Sequence, residues 1–300
     1  MNKFKLVSVV AGLFSSTSVL ADTTFFGEVQ AAYGFQDDAL KGSDHKVITR
    51  GSRIGVKGFA AIDEQNDVTY MIEEGDLSDE TRQAWLGVHG TFGEFRAGRQ
   101  LGATQVSSER VEVFENQFGD YNAILESEHS HDQTVTYINK FGDVGFAVEV
   151  SRDDELSSDG SDATVADFVV NYQKGAWYAA IAHLNVQDNF DTTRLTGVYT
   201  FLDGHQVGAV FEKNNNKQGD GHDAFVMSGR YQSGDLTFKA QFGYNEPEKG
   251  GENETLAAVG VDYKWNKSTT FTSEYAINQH RDHTAEDELK TFALGIIYQF

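Results

Sequence analysis

The chain has no cysteine and one proline, Pro247, in 300 residues. Without cysteine there is no disulfide to hold an exported chain together. With so little proline, nearly every backbone N–H stays available to a hydrogen-bonded ladder, and Pro247 itself is expected in a loop. Basic residues are scarce too: 24 Lys and Arg stand against 46 Asp and Glu, a formal net charge of −22. Such a surface releases no phosphate counterions, which excludes nucleic acid as a partner and favours cations. Beyond the N-terminal segment there is no long apolar run, which excludes a bundle of membrane-spanning helices.

Chemistry-bearing motifs are missing as well. There is no Gly-x-Ser-x-Gly elbow, no His-Glu-x-x-His and no phosphate loop, so no catalytic residue, enzyme activity or cofactor is assigned. His129-x-His131 and His280-x-x-His283 fall in expected loops with no obvious further ligand, and no metal site is assigned to them.

What is present points to β-structure. There are 30 Gly, 22 Phe and 12 Tyr, and aromatic residues favour strands. At the C-terminus Phe292, Leu294, Ile296, Tyr298 and Phe300 share one parity. In a strand they form one continuous apolar face, opposite Ala293, Gly295, Ile297 and Gln299. A strand between lipid and a polar interior carries this pattern. The N-terminus agrees: Lys3 and Lys5, then an apolar stretch from Leu6 to Leu20, then Ala21. This reads as a signal peptide over residues 1–21, with residues 22–300 as a single exported domain.

Alternation of period two recurs along the chain, for example Leu236/Phe238/Ala240/Phe242/Tyr244 against Thr237/Lys239/Gln241/Gly243/Asn245. Seven short turns are expected near Asp63–Asp67, His89–Glu94, Lys140–Asp143, Gln173–Ala176, Leu202–His205, Gln232–Asp235 and Trp265–Ser268. Several carry Gly at a hairpin position. Eight longer loops alternate with them: Gln36–Lys46, Gly75–Thr81, Leu101–Gln133, Ser151–Ala163, Gln187–Asp191, Asn214–Gly221, Glu246–Glu252 and Gln279–Glu286. Fifteen connections imply sixteen strands, and the alternation suits a closed all-β, transmembrane antiparallel barrel with both termini on the short-turn side. Phe92, Phe141, Trp177, Phe201, Tyr231 and Trp265 stand beside the short turns, as an interfacial girdle would.

The run Arg50-Gly51-Ser52-Arg53-Ile54-Gly55-Val56-Lys57-Gly58 is similar to the second strand of the sixteen-stranded general diffusion porins of Gram-negative outer membranes. Arg82–Val88 and Phe92–Gln100 resemble their fourth and fifth strands, and the terminal Phe300 resembles their C-terminal assembly signature. The resemblance spans the chain. It implies a homotrimeric, water-filled channel in the outer membrane, in contact with lipid and lipopolysaccharide, passing small hydrophilic solutes and ions. It also implies that the long third loop, here Leu101–Gln133, folds into the lumen and narrows it. Two departures stand out: the third loop reads Val113-Phe114-Glu115-Asn116-Gln117-Phe118-Gly119-Asp120, and the second loop is very short.

For the pore itself, Arg53, Lys57, Arg82 and Arg96 are expected as a basic wall, assuming inward parity for each. Glu109, Glu112, Glu115 and Asp120 are expected as the acids of the constriction loop. Acids facing bases across a narrow passage create a transverse field, and an acidic lining favours cations weakly. Glu28, Glu73, Glu149, Asp167, Arg194, Glu212, Arg230, Lys239, Asp262, Lys264 and Glu274 alternate onto the polar face and are expected as wet wall residues. Rival readings are a substrate-specific channel of the oligosaccharide type, a barrel serving as adhesin or structural anchor, and a soluble secreted β-sandwich lectin. The first needs an inner ladder of aromatics, whereas most aromatics here have outward parity.

Overall fold

The computed structural model describes residues 21–75, 80–126, 130–153, 163–217, 219, 221–280 and 287–300. Most of the segment read as a signal peptide, together with Glu128, His129 and His283, lies outside the described residues. Among the described residues seventeen strand segments follow in order, beginning with β1 (Ala21–Asp38), β2 (Gly42–Ile48), β3 (Arg53–Ala61), β4 (Asp67–Gly75), β5 (Glu80–Gly90) and β6 (Gly93–Leu101). A short helix, α1 (Ala103–Ser108), opens the connection to β7 (Ser130–Phe141). Then come β8 (Val144–Asp153), β9 (Ala163–Lys174), β10 (Trp177–Val186), β11 (Phe190–Thr200) and β12 (Gln206–Asn216). The last are β13 (His222–Ser233), β14 (Leu236–Pro247), β15 (Glu254–Lys264), β16 (Thr269–Gln279) and β17 (Glu288–Gln299).

Every ladder is antiparallel and, apart from the closing pair of first and last strands, joins consecutive strands, with one informative exception. Both β2 and β3 pair with β1, at Asp38↔Gly42 to Ala32↔Ile48 and at Glu28↔Arg53 to Ala21↔Ala60. They are the two halves of one stave broken at residues 49–52, so the barrel has sixteen staves. It closes where β1 meets β17, from Glu28↔Gln299 to Asp38↔Leu289. Gly27 and Phe300 seal the seam by exchanging backbone hydrogen bonds, both 3.0 Å. Closure matters because an open edge in lipid would leave a row of backbone groups unpaired.

The outer surface is apolar. Phe292, Leu294, Ile296, Tyr298 and Phe300 are each 41–55% exposed, while Thr291 and Ala293 on the opposite face are buried. The six girdle aromatics are all exposed beside their turns. Gly175, Gly204 and Gly234 take positive φ there, as tight hairpins require.

Three details differ from the sequence reading. Residues 36–38 and 42–46 belong to strands rather than a loop, because Asp38 accepts from the Leu40 and Lys41 N–H groups and closes a tight turn. That hairpin is polar on both faces, so it shows no alternation. The connection expected at Gln187–Asp191 is shorter, with β11 resuming at Phe190. Pro247 is the last residue of β14, opposite His222, rather than a loop residue. At that end position the ladder continues through the Glu248 N–H to the Gly221 carbonyl, 2.8 Å, so the missing donor costs little.

Candidate functional site

The inner face of β8–β16 is not the wet wall its parity suggests. Glu149, Asp167, Arg194, Glu212, Lys239 and Glu274 are all buried. The segment that buries them is 102–126, the described part of the connection between β6 and β7. An irregular segment has backbone donors and acceptors that no ladder satisfies, and here the wall supplies the partners. Asp167 accepts from the Thr104 N–H at 2.9 Å and from its hydroxyl at 2.6 Å. Arg194 donates to the Ser108 hydroxyl at 2.6 Å while paired with Glu212 at 2.5 Å. Glu274 accepts from the Phe118 and Gly119 N–H groups, each 3.0 Å. Gln241 donates to the Gly119 carbonyl at 2.7 Å, Asn245 to the Ile124 carbonyl at 3.0 Å, and Ser228 to the Val111 carbonyl. These six wall positions are therefore buried in or beneath a loop rather than lining water, whereas Arg230 and Lys264 on the same wall stay exposed.

Apolar contacts complete the seat. Val111, Phe114, Ile124 and Leu125 are at most 2% exposed, each contributing roughly 1.5–3 kcal/mol by burial. They fit because the facing wall positions are small. A Cβ at Gly260 would lie 2.8 Å from the Phe114 ring, and one at Gly243 would lie 2.6 Å from Ile124 Cγ1. The ammonium of Lys239 stands 4.5 Å from the centre of the Phe114 ring.

The tip of the segment reaches the opposite wall at the broken stave. Arg50 donates to the Gln117 carbonyl at 2.7 Å, and Glu115 pairs with Arg53 at 2.8 Å. Gly51, at φ +80, leaves the space that the Asn116 side chain occupies. The break is itself satisfied internally: Gln30 donates to the Arg50 carbonyl, and Ser52 bridges Gln30 and Thr49. Sequence reading took Arg50-Gly51-Ser52 as part of a motif and missed its role as a seat. The local signal was Gly51 among polar neighbours, a glycine that takes a positive φ.

Between this tip and β3–β5 lies a cavity of about 910 Å³. Arg53 and Arg82 line it, and so do all four expected loop acids, Glu109, Glu112, Glu115 and Asp120. Lys57 and Arg96 are not among its lining residues. Lys57 sits 5.0 Å from the Phe26 ring, and Arg96 lies 4.1 Å from the Trp85 ring and 2.9 Å from Glu94. Arg82 shares its strict parity with the outward-facing Leu86 rather than with the lumen. A register shift between Glu73 and Glu74 lets it turn inward, where it pairs with Glu73 at 3.3 Å. Nor are the wall bases bare: Arg53 also meets Glu28 at 3.5 Å. Arg53 and Arg82 thus stand across the cavity from the loop acids while also pairing with the wall acids Glu28 and Glu73.

The loop acids divide in two. Glu112 accepts from the Phe114 and Tyr121 N–H groups, at 2.5 and 2.8 Å. Asp120 accepts from Asn116 and Asn122, at 2.6 and 2.8 Å. These two brace the loop's own backbone. Burial, with Asp120 close by, pushes the Glu112 carboxyl up to about 8. Burial raises Asp120 as well, and it raises Glu109 with help from Glu115. Glu115, half exposed and paired with Arg53, presents its carboxylate to the cavity.

Comparisons with known proteins agree with this architecture. The chain is 23% identical to the major outer membrane protein P.IB of Neisseria sicca, over 90% of this chain and 92% of that one. It is also 23% identical to the porin-like protein H of Photobacterium profundum, over 84% and 82% of the two chains. Among solved structures, an anion-selective porin from Comamonas acidovorans superposes with a TM-score of 0.77 at 17% identity, covering 93% of this chain and all of the other. A loop-deletion mutant of the Vibrio cholerae outer-membrane protein OmpT gives 0.74 at 19% identity, covering 93% and 99%. The family model described as Gram-negative porin matches residues 7–283. The chain therefore belongs to the Gram-negative porin family and is a β-barrel protein of the outer membrane.

Proposed function

We propose that this porin is an open, water-filled channel for passive diffusion of small hydrophilic solutes and ions, with a weak preference for cations. The observation that carries the reading is the 910 Å³ cavity between the loop tip and the wall. Its ionisable lining is Glu73, Glu109, Glu112, Glu115 and Asp120 against Arg53, Arg82 and Arg110. With the Glu112 carboxyl raised to about 8, the excess of negative charge at neutral pH is small. Screening weakens it further, since the Debye length is ~8 Å at physiological salt. Polar walls and paired charges disfavour apolar solutes. No aromatic ladder lines the cavity, where Tyr121 is the one ring, and this weighs against an oligosaccharide-specific channel.

In this reading residues 1–21 are a signal peptide, residues 22–300 form the barrel, and the barrel works as a homotrimer among outer-membrane lipid and lipopolysaccharide. A trimeric form is described for the OmpT protein of Vibrio cholerae, whose fold this chain shares. The test is the purified protein in a planar bilayer under a KCl gradient. Stable unit steps with a small cation-selective reversal potential are expected. Insertion without conductance would refute the diffusion reading, and an anion-selective potential would refute the charge assignment.

A further inference from the structure

Below the main cavity, toward the short turns, the inner wall of β1–β6 carries rings, although a barrel lumen is ordinarily polar. The antiparallel register sets Lys57, Met71 and Trp85 side by side on β3, β4 and β5, on the same face as Arg53. Phe26 of β1 and Phe59 of β3 share that inward parity. Two of the rings are fixed by their surroundings. The Trp85 Nε1–H donates to Gln83 Oε1 at 3.3 Å, and the Arg96 guanidinium lies 4.1 Å from the Trp85 ring. Phe26 lies across Gly55, where a Cβ would come within 2.5 Å of the ring. Phe59 is 45% exposed. None of these side chains lines the main cavity.

Lys57 differs from its neighbours. Arg53, Arg82 and Arg96 on the same wall pair with Glu115, Glu73 and Glu94 at 2.8, 3.3 and 2.9 Å. Among the described residues no carboxylate stands at ion-pair distance from Lys57, whose ammonium sits 5.0 Å from the centre of the Phe26 ring. Its side chain is exposed to the lumen. Water-facing rings around one unpaired cation are complementary to a solute with a single negative charge and a flat apolar body. A cation would be repelled by Lys57, and a neutral sugar would leave its charge unmet. We infer that this stretch of inner wall is a binding subsite for small aromatic carboxylates, reached from the long-loop side after the main cavity. The carboxylate would pair with Lys57, and the ring would rest against Phe26, Phe59 and Trp85. The acidic lining elsewhere governs how often such an anion enters, and the subsite governs how long it stays. That route rests on the open-channel reading; the binding itself does not.

Calorimetric titration of the purified, detergent-solubilised barrel with sodium benzoate, against a detergent blank, tests this without relying on conductance. Saturable binding is expected, with acetate (charge without ring) and benzyl alcohol (ring without charge) both much weaker. Lys57→Gln should weaken benzoate about tenfold, which corresponds to ~1.4 kcal/mol, and Lys57→Arg should retain it. Phe59→Ala should weaken it about fivefold through the loss of one ring contact. Lys267→Gln removes the same charge from an exposed short turn and should leave the affinity unchanged. Absence of saturable heat, acetate or benzyl alcohol binding as tightly as benzoate, or undiminished affinity in Lys57→Gln would each overturn the inference. So would an equal loss in Lys267→Gln, which would reduce the effect to net charge. A barrel that binds benzoate but carries no current would refute the diffusion reading and leave the subsite standing, and a conducting barrel without saturable benzoate heat would do the reverse.

Discussion

The two halves of the barrel interior use similar residues in opposite ways. On β8–β16, Arg194 and Glu212 are wholly buried and paired at 2.5 Å beneath α1. On β1–β6, Arg53 of β3 pairs at 2.8 Å with Glu115 of the loop tip, whose side chain is about half exposed. The first pair sits where loop backbone and side chains exclude water, so its geometry is structural. The second stands at the cavity, where solvent screens it and its charges are available to passing ions. Position relative to one loop, rather than residue type, separates scaffold from lining.

Breaking the covered side should have the largest effect. Arg194→Ala leaves the buried Glu212 with only His222 at 3.3 Å and the Glu126 N–H at 3.2 Å, and breaking a buried pair typically costs roughly 3–5 kcal/mol. The expected outcome is loss of hydrogen-exchange protection across residues 102–126 and larger, noisier unit conductance. Unchanged protection would show that α1 does not depend on this wall.

Next comes the seat of the tip. Gly51→Ala imposes a side chain at φ +80 and fills the space taken by Asn116. Left-handed strain and crowding together are expected at about 2–4 kcal/mol. The tip should lift, the Arg53–Glu115 pair should open, and mean conductance should rise. A variant with native conductance would remove residues 49–52 from any part in setting the passage.

A pH titration compares the two kinds of acid directly. Glu112 is raised from 4.5 to about 8 in the folded chain. Its contribution to seating the loop is therefore fully present below about 4.5 and is lost as pH rises through about 8. Over that window the cavity also gains negative charge. Cation-to-anion permeability should increase from pH 5 to pH 9, as read from reversal potentials, and Glu112→Gln should flatten the upper part of the rise. A ratio independent of pH would show that this group stays ionised throughout.

The smallest structural effect is expected on the open side. Glu115→Gln removes one partner of a solvent-facing pair, and pairs of this kind are worth about 0–1 kcal/mol. Unfolding in urea should be nearly unchanged while the reversal potential moves toward anions. A marked loss of stability instead would make this pair a structural clamp like the one beneath α1.

Much of the barrel was legible in local pattern. Alternation marked Phe292 to Phe300 as one face, and the spacing of turns implied sixteen staves. Both follow because a strand's period of two is imposed by its own backbone, whatever it packs against. Legibility failed where a second segment intervened. Asp167, Arg194 and Glu274 have the parity of wet wall residues, yet their partners lie more than 60 positions away in Thr104, Ser108 and Gly119. Lys57 and Arg96 share inward parity with Arg53 but do not reach the main cavity.

Local chemistry was thus sufficient for the closed sheet, its apolar belt and its acidic balance, because each depends on neighbours in the chain or on summed composition. Only the tertiary structure decided that Arg82 turns inward through a bulge, that a broken stave seats the loop tip, and that half the inner wall is buried. Those outcomes depend on which of two faces a distant segment covers. A strand's sequence alone carries no term for that contact.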